Sequence, residues 1–539
     1  MPTSLTGSSQ PIQLGGGYAL RAPGLRGTAD MRAPGNAPTR ADVRGLDTGL
    51  AALDDALQRA HVTEVRRIDL TVQPAGPGGP GAAGAPGGAA PSLRAVDGTP
   101  QLELEVPDLG PALGQLVLSI DDAGALRWHL PVDEDPDTAG RGVDTPQGMP
   151  NDPSVVGATA SAAGGPASRG GGAVKRFRLP AALVPPPPDA AGVRQRSLLG
   201  TAARRLLKVL VYPVTDPILG PVSNAFARHW EEKKRPYRLR AFTPSDYRTG
   251  DVTAIDPAAA EAMTSAGPVL LFIHGTFSTS HGGFGGLPEA AMATLSQRYG
   301  GRVLAFDHPT MHDDPTENVR QLLAAWPLGR SDVDVVCHSR GGLVSRVLAQ
   351  ASPDVRVRRL VFGAAPNAGT ALTDPDHMVD MVDRLTTALS LAPTGPVTET
   401  LEALVTLLKM VGHGALKGLS GLASMNPQGE FLQRMNAAGA APGARTAPEY
   451  FAISADYQPI DRGLRALVSG AADNVADQVF GQAGNDLVVP ADGVWARNGA
   501  GGFPLPEDHV LRFGHPDGVM HTTVFDQQKT AEKLLAWLA

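Results

Sequence analysis

The segment that most constrains the fold of this chain is a serine placed between an apolar strand and a helix. Residues 333–337 are mostly apolar and β-branched, which is typical of a buried strand, and apolar residues recur at helical spacing from Gly341 onward. Ser339 lies in the sharp turn between the two. Such a turn lifts a serine hydroxyl above the sheet edge and places the N–H of the next residue at a helix N-terminus, where an anion is stabilised. The segment therefore predicts a nucleophilic serine in an α/β protein.

One position in this turn departs from the usual pattern, in which glycine stands two residues before and two residues after the serine. Cys337 takes the place of the first glycine, where helix and strand pass close together and the side chain must be small. It is the one cysteine of the sequence, which excludes an intrachain disulfide and zinc sites built from several thiolates. We expect it to be buried and unreactive rather than a nucleophile.

A second apolar segment, residues 268–273, is followed by His274 and Gly275. A His-Gly pair after a buried strand lets the chain bend back over a site, so that the N–H of the following residue faces an oxyanion. We therefore expect the backbone amides of Thr276 and Arg340 to form an oxyanion hole. An ordinary turn at the end of a strand is the alternative interpretation.

From about residue 269 to its end, the chain resembles the lipase and esterase branch of the α/β-hydrolase superfamily. Strand segments at 302–306 and 358–363 flank the serine segment in the order that this branch implies, and the turn at 365–370 is similar to one found in many lipases. Alternation of strands and helices argues independently for a mostly parallel central sheet with helices on both faces. The resemblance implies a serine hydrolase that cleaves carboxylic esters.

A nucleophilic serine needs a histidine base and an acid that orients it, and the resemblance implies the chain order serine, acid, histidine. His521 lies directly before the final amphipathic helix, where the family carries its base. His515 in the same loop is the rival candidate, and His509 at the start of the last strand is a weaker one. For each of these histidines, the competing interpretation is a loop residue that is exposed to solvent and has no role in catalysis.

Asp486 is the candidate acid, because the segment 484–490 resembles the acid loop of many lipases. Asp456, directly after the strand segment 449–454, is the alternative. For either aspartate, the competing interpretation is a turn residue that caps its own backbone.

An insertion at residues 374–436 goes beyond what the core fold needs. Its apolar residues recur at helical intervals in two runs, separated by a Pro- and Gly-containing break at 392–396, which predicts two helices. Its many Met and Leu side chains would make an adaptable apolar surface. The insertion is expected to be either a lid over an acyl-chain pocket or an ordinary buried helical cap.

The first half of the chain is predicted to hold a small β-rich domain between segments rich in Gly and Pro. We expect disorder over residues 1–45, the β-rich domain over 46–131, and a linker with a short strand over 132–194. A bridging amphipathic helix and connector are expected over 195–262, before a hydrolase domain over 263–539. That helix, with basic residues beside its apolar stripe, fits docking onto the chain's own surface or transient contact with a membrane.

The strands predicted in the β-rich domain come from alternating apolar residues. They lie at 64–73, 102–106, 116–120 and 126–130, after a short amphipathic helix at 46–61. We expect this domain to contact a protein partner rather than to carry catalysis.

Composition narrows the remaining functions. A net charge of −7 and a pI near 6.0 argue against nucleic-acid binding. A single cysteine, no signal-peptide pattern and no long apolar run favour a cytoplasmic location. The chemistry needs no metal or organic cofactor, and we interpret the small cluster of His308, His312, Asp313 and Asp314 as a solvated loop rather than a metal site.

The expected substrate is a small-molecule or lipid ester with an apolar acyl chain, such as a glyceride or a phospholipid. Two alternatives stay open. One is peptidase or amidase chemistry on the same three side chains, and the other is an inactive hydrolase-fold scaffold, which the Cys337 departure favours.

Overall fold

The structure is a computed structural model. It describes residues 2–34, 46–74, 101–121, 124–132, 173–180, 203–214, 223–351, 354–374, 377–391, 396–412, 419–437, 447–457, 484–497 and 502–539. Within these ranges the chain forms a β-rich region up to residue 214 and an α/β region from residue 223 onward.

Two antiparallel sheets and one described helix make up the β-rich region. In chain order they are β1 (Thr3–Thr6), β2 (Ile12–Gly15), β3 (Tyr18–Arg21), β4 (Leu25–Arg32), α1 (Leu46–Arg59), β5 (Thr63–Pro74), β6 (Gln101–Pro107), β7 (Leu113–Asp121), β8 (Leu126–His129), β9 (Val174–Pro180) and β10 (Ala203–Pro213). Among the described strands, the sheet orders are β1-β4-β5-β10-β7-β8 and β2-β3-β6-β9. The two sheets share one apolar core, which contains Leu70 and Leu207 from the first and Leu104 and Phe177 from the second.

The expectation of disorder over residues 1–45 is wrong where the structure describes them, because β1 to β4 lie within residues 3–32. The glycines of this segment serve tight turns. Gly16 and Gly17 have φ angles of 59° and 83°, as the two-residue β2–β3 hairpin requires. Residues 35–45 lie outside the described part. The β-rich region therefore draws strands from beyond the predicted 46–131 boundaries, including β9, the short strand predicted within 132–194.

The predicted amphipathic helix within 195–262 is also wrong, because its described residues form strand β10. β10 lies between β5 and β7, so Leu206 and Leu210 enter one core while Leu207 and Val209 enter another. A strand that is buried on both faces is apolar without alternation, and such a run imitates a helical stripe. The membrane contact inferred from that helix therefore loses its support.

The α/β region contains strands and helices in alternation. The strands are β11 (Arg238–Ala241), β12 (Val269–Ile273), β13 (Val303–Asp307), β14 (Ser331–His338), β15 (Val355–Gly363), β16 (Glu449–Ala455) and β17 (Val510–Phe513). The helices are α2 (Ser223–Lys234), α3 (Pro257–Ala266), α4 (Ser280–Phe284), α5 (Glu289–Arg298), α6 (Pro315–Ala325), α7 (Gly341–Ala351), α8 (Met378–Leu391), α9 (Val397–Val411), α10 (Ser420–Ala423), α11 (Glu430–Ala437) and α12 (Gln528–Trp537). Short 3-10 helices lie at Ala371–Thr373, Ala491–Val494, Glu507–His509, His515–Asp517 and His521–Asp526.

The expectation of a mostly parallel sheet is confirmed for this region. The described strands form a seven-stranded sheet in the order β11-β13-β12-β14-β15-β16-β17, in which only β11 runs antiparallel to its neighbour. Side chains of β12 alternate between two cores, with Leu271 on the face that α7 covers and Phe272 on the face that α5 and α12 cover. Because β12 to β17 are parallel, the segments that follow them meet at one edge of the sheet.

The insertion at 374–436 contains α8 and α9, as predicted, with the intervening break at 392–395 outside the described residues. Helix α8 is bound to β8, the edge strand of the larger β-rich sheet. The Asp383 carboxylate accepts the Trp128 N–H at 2.8 Å, and the Thr387 hydroxyl accepts the Leu126 N–H at 3.0 Å. Edge-strand backbone groups that would otherwise lack partners are satisfied in this way. In this structure the insertion is a buried cap, and its movement as a lid stays a prediction.

None of the described helices combines the length and the apolar composition that crossing a lipid bilayer requires.

The buried Asp383 leads to a prediction about pH and stability. Burial raises the pKa of this carboxyl well above its ordinary range, against the opposing effect of the Trp128 N–H. A carboxyl with a raised pKa takes up a proton on folding, so the free energy of unfolding falls as pH rises above its ordinary pKa of about 3.9. Asp383→Asn keeps an acceptor and cannot ionise. Between about pH 5 and pH 8 we expect its melting temperature to fall less than that of the wild type.

The matched control is Asp380→Asn, which changes a half-exposed carboxyl on the same helix. Its melting temperature should follow the wild-type pH dependence. Parallel curves for Asp383→Asn and the wild type would contradict the prediction.

Candidate active site

Ser339 stands in the turn between β14 and α7 with a strained backbone. Its φ of 52° lies in the left-handed region, which is uncommon for a residue other than glycine and is typical of functional turns. Its N–H donates to the Gly363 carbonyl at 2.8 Å, which fixes the turn to β15. A Cβ on Gly341 would lie 2.3 Å from the Ile273 carbonyl oxygen, so glycine is required where the helix approaches β12.

Cys337 is accommodated in the position of the missing glycine. Its side chain is fully buried, and the thiol donates to the Val361 carbonyl at 3.2 Å. Burial raises the pKa of the thiol to about 12, so it stays protonated at neutral pH. The residue is a small packing group beneath the turn, and it is not aligned for nucleophilic attack.

The structure brings Ser339, His521 and Asp486 together. His521 Nε2 lies 2.9 Å from Ser339 Oγ, and His521 Nδ1 lies 2.8 Å from Asp486 Oδ2. All three residues are buried, with exposed fractions of 5%, 6% and 1%. The other oxygen of Asp486 accepts the backbone N–H groups of Val488 and Val489, which fixes the carboxylate beneath the ring. This row can pass the serine proton to the imidazole and stabilise the imidazolium that results.

The rival candidates lie away from the serine and pair with each other. His515 Nε2 is 3.3 Å from Asp456 Oδ2, and both side chains are exposed to solvent. The His509 ring stacks on Phe451 at 4.2 Å between ring centroids, and its Nδ1 lies 3.0 Å from the Tyr450 carbonyl oxygen. No contact joins these residues to Ser339 in the part of the chain that the structure describes.

Two unused backbone donors belong to the predicted oxyanion residues. The N–H groups of Thr276 and Arg340 have no acceptor among the described residues. Gly275 packs directly on the serine, because a Cβ there would lie 2.5 Å from Ser339 Cβ. The His-Gly turn therefore brings the Thr276 segment over the serine, and both Thr276 and Ser339 line one cavity.

The cavity above Ser339 is narrow and mostly apolar, with a volume of about 70 Å³. Its apolar walls come from α8 and from the segments around residues 425 and 488, namely Met381, Leu385, Leu389, Met425, Val488 and Val489. One buried water needs about 10–15 Å³ on this scale, so the space is equivalent to a few waters. The space beside Ser339 in this conformation is therefore small compared with a long acyl chain.

His338, directly before the serine, supports the histidine loop. Its Nε2 lies 2.9 Å from the His521 carbonyl oxygen, and the two rings are 5.0 Å apart between centroids. Burial lowers the pKa of His338 to about 3, so the ring is neutral and its Nε2–H donates to that carbonyl. Sequence reasoning missed this role, because no local pattern separates a histidine that binds a distant carbonyl from one that only fills the strand end.

The interpretation of residues 308–314 as a solvated loop is wrong. His308 and His312 are buried, and the His312 ring lies between Glu231 at 2.5 Å and Asp313 at 3.2 Å. Although burial opposes the charged form, hydrogen bonds to Asp313 and Glu231 raise the pKa of His312 to about 9. Asp314 caps the N-terminus of α6. Among the described residues, no group of three or more His, Cys, Asp or Glu side chains is arranged to hold a metal ion.

Comparison with known proteins assigns a family to the second half of the chain. Residues 234–539 match the model of DUF7379, which is described as a domain of unknown function. No curated protein matches the chain.

Several solved structures are similar to about half of the chain at low identity. Phospholipase PlaB from Legionella pneumophila is 14% identical with a TM-score of 0.30, and the match covers 50% of this chain and 59% of that one. Lipase 1 from Pelosinus fermentans is 13% identical with a TM-score of 0.30, and the match covers 50% of this chain and 96% of the lipase. The metagenomic carboxyl esterase MGS0156 is 15% identical with a TM-score of 0.29, and the match covers 54% of this chain and 77% of the esterase.

The burial of Cys337 leads to a prediction about its reactivity. We expect no reaction with a chromogenic disulfide reagent in the folded protein, since the thiol is protonated and shielded from solvent. After denaturation in guanidinium chloride, one thiol per chain should titrate, because the sequence contains one cysteine. Reaction of the native protein at the rate of the denatured one would contradict the structure.

Proposed function

Since the chain belongs to the DUF7379 family, whose description names no function, we propose its activity from the site: it is a serine hydrolase that cleaves carboxylic esters with apolar acyl groups. The observation that carries the proposal is the hydrogen-bonded row from Ser339 through His521 to Asp486, with distances of 2.9 and 2.8 Å. The proposal also uses the order of the parallel sheet and the strained strand-to-helix turn, which fit the α/β-hydrolase fold of lipases and esterases.

The proposed reaction is a double displacement. Ser339 Oγ attacks the ester carbonyl while His521 Nε2 takes its proton, and the tetrahedral oxyanion is held by the N–H groups of Thr276 and Arg340. His521 then returns the proton to the leaving alcohol, which leaves an acyl-enzyme. Water, activated by the same imidazole, releases the acid. Asp486 keeps the ring in the tautomer that presents Nε2 to the serine.

The character of the cavity supports an apolar acyl group. Its walls beyond the serine are Met, Leu and Val side chains, and its volume of about 70 Å³ suits a short acyl group in this conformation. Longer chains, including those of glycerides and phospholipids, would require α8 to shift away from the site.

The alternative of an inactive hydrolase-fold scaffold was based on Cys337, which stands where the usual pattern has glycine. Because Cys337 packs beneath the turn while Ser339 keeps its contact with His521, that departure no longer favours an inactive protein. No described contact favours peptide chemistry over ester chemistry. The protein partner expected for the β-rich region stays a prediction. Within the chain, this region forms hydrogen bonds to α8 and α9.

The triad proposal predicts a defined pattern of probe labelling. A fluorophosphonate probe should label the wild type and should fail to label Ser339→Ala or His521→Ala, because both lose the activated nucleophile. In ester hydrolysis, Asp486→Asn should lower kcat by about ten-thousandfold, since the amide favours the wrong histidine tautomer.

The matched controls are His515→Ala and Asp456→Ala, which remove the rival pair and leave Ser339, His521 and Asp486 unchanged. Both should keep wild-type labelling. Labelling of Ser339→Ala at the wild-type rate would contradict the assignment of Ser339, His521 and Asp486 as the triad. Loss of labelling in His515→Ala alone would contradict it as well.

The narrow cavity predicts a preference for short acyl chains. The wild type should hydrolyse p-nitrophenyl butyrate faster than the octanoate ester. Leu385→Ala should shift the kcat/KM ratio toward octanoate by about tenfold, the low end of what one methylene group contributes in an apolar pocket. Leu404→Ala is the matched control, because Leu404 is a buried leucine of α9 outside the cavity lining. An unchanged ratio in Leu385→Ala would show that the acyl chain lies elsewhere.

A further inference from the structure

Glu231 on α2 is a fully buried carboxylate that lies outside the hydrolase domain expected at 263–539. One of its oxygens accepts the backbone N–H groups of Thr310 and Met311 at 2.5 and 2.9 Å. The other accepts the backbone N–H of His312 at 3.0 Å and its ring Nδ1–H at 2.5 Å. The Thr310 hydroxyl also donates to it, so a single side chain satisfies five donors of the loop between β13 and α6, which we call the β13–α6 loop (residues 308–314).

The β13–α6 loop contacts the segment that carries the first oxyanion donor. The Thr310 hydroxyl accepts the Phe277 N–H at 3.2 Å and also lies 3.3 Å from Glu231 Oε1. Phe277 directly follows Thr276 and has a φ of 58°, so its backbone is held in a strained conformation. The hydrogen bond that the Phe277 N–H donates to Thr310 helps to fix that conformation, next to the peptide that bears the Thr276 N–H.

The same loop contacts the residue that carries the second donor. The Arg340 side chain is fully buried, and its guanidinium donates to the Asp313 carbonyl, to Asn318 Oδ1 at 2.9 Å and to the Gly421 carbonyl at 2.9 Å. Burial lowers the pKa of Arg340 to about 10, which leaves it charged at neutral pH. The side chain therefore anchors the residue whose backbone N–H would face the oxyanion.

Charge balance explains how this buried cluster is stable. The His312 imidazolium lies between the carboxylates of Glu231 and Asp313, and Asp313 also accepts the Tyr237 hydroxyl at 2.6 Å. With Arg340, the buried part of the cluster holds two negative and two positive groups, and the exposed Arg228 lies 4.0 Å from Asp313 at its edge. Removing either carboxylate would leave buried donors without an acceptor, which is unfavourable.

We propose that Glu231 is a positioning residue for the oxyanion hole: it holds the β13–α6 loop, and that loop fixes Thr276 through Phe277 and Arg340 through Asp313. The inference rests on the proposed hydrolase function, because it concerns the oxyanion formed in that reaction. Donors act on an oxyanion only if they are held in place before charge develops, and one such donor is worth about a hundredfold to a thousandfold in kcat. Glu231 touches neither substrate nor reacting atoms.

The test is Glu231→Gln, assayed on p-nitrophenyl butyrate. Its amide keeps one acceptor oxygen but turns an NH2 group toward the donors that the other oxygen satisfied, so the loop loses half of its common acceptor and the negative charge beside His312. We expect kcat to fall by about a hundredfold while KM stays within about twofold, because the lost stabilisation acts on the transition state. The rate of fluorophosphonate labelling should fall in parallel, since that reaction also places negative charge on oxygen.

The matched control is Asp334→Asn. Asp334 is likewise fully buried, accepts the Tyr299 hydroxyl at 2.6 Å and pairs with Arg358, but it lies toward the end of β14 opposite to Ser339. Both variants should lower the melting temperature, and only Glu231→Gln should lower kcat. A similar fall in kcat in both would indicate a general effect of stability and would overturn the proposal.

A milder pair of variants decides the outcome if Glu231→Gln does not fold. Thr310→Val removes the acceptor of the Phe277 N–H with little change in shape and should lower kcat, whereas Thr310→Ser restores that acceptor and should recover most of the loss. A wild type that is neither labelled nor active would remove the proposed function and this inference with it. An active wild type beside fully active Thr310→Val and Glu231→Gln would overturn the inference alone.

Discussion

The strained turn at Ser339 is the constraint on which the rest of the active site depends. Holding a serine at a φ of 52° requires a fixed strand before it, a helix close behind it and small residues at both contacts. The hydrogen bond to Gly363 and the packing of Gly275 supply this support. The parallel sheet then brings His521, which is 182 residues further along the chain, to the same edge.

The helix that covers this site is held by the β-rich region. Helix α8 lines the cavity with Met381 and Leu385, while Asp383 and Thr387 on the same helix bind the edge strand β8. On α9, Lys409 donates to the carbonyl of Ala60 just beyond α1. Any movement that opens the cavity must therefore break or carry along contacts with the first half of the chain.

Of the three side chains that the structure brings together, the strand–turn–helix pattern predicts Ser339. Asp486 and His521 are predicted only through the resemblance to lipases, because their own segments carry a weaker local pattern. The errors came from long-range effects. The glycines of β2–β3 were mistaken for disorder because their hairpin is visible only with its partners, and β10 was mistaken for a helix because both its faces are buried. Nothing in the sequence links Glu231 to His312, which are 81 residues apart.

The position of Glu231 has a consequence for where this protein can be divided. The family match begins at residue 234, just after Glu231, and the hydrolase domain predicted from the sequence begins later still, at residue 263. A fragment cut at either boundary would retain Ser339, Asp486 and His521 yet lack the buried acceptor of the β13–α6 loop. On the proposed function, the smallest active fragment is therefore longer than the family match and includes α2.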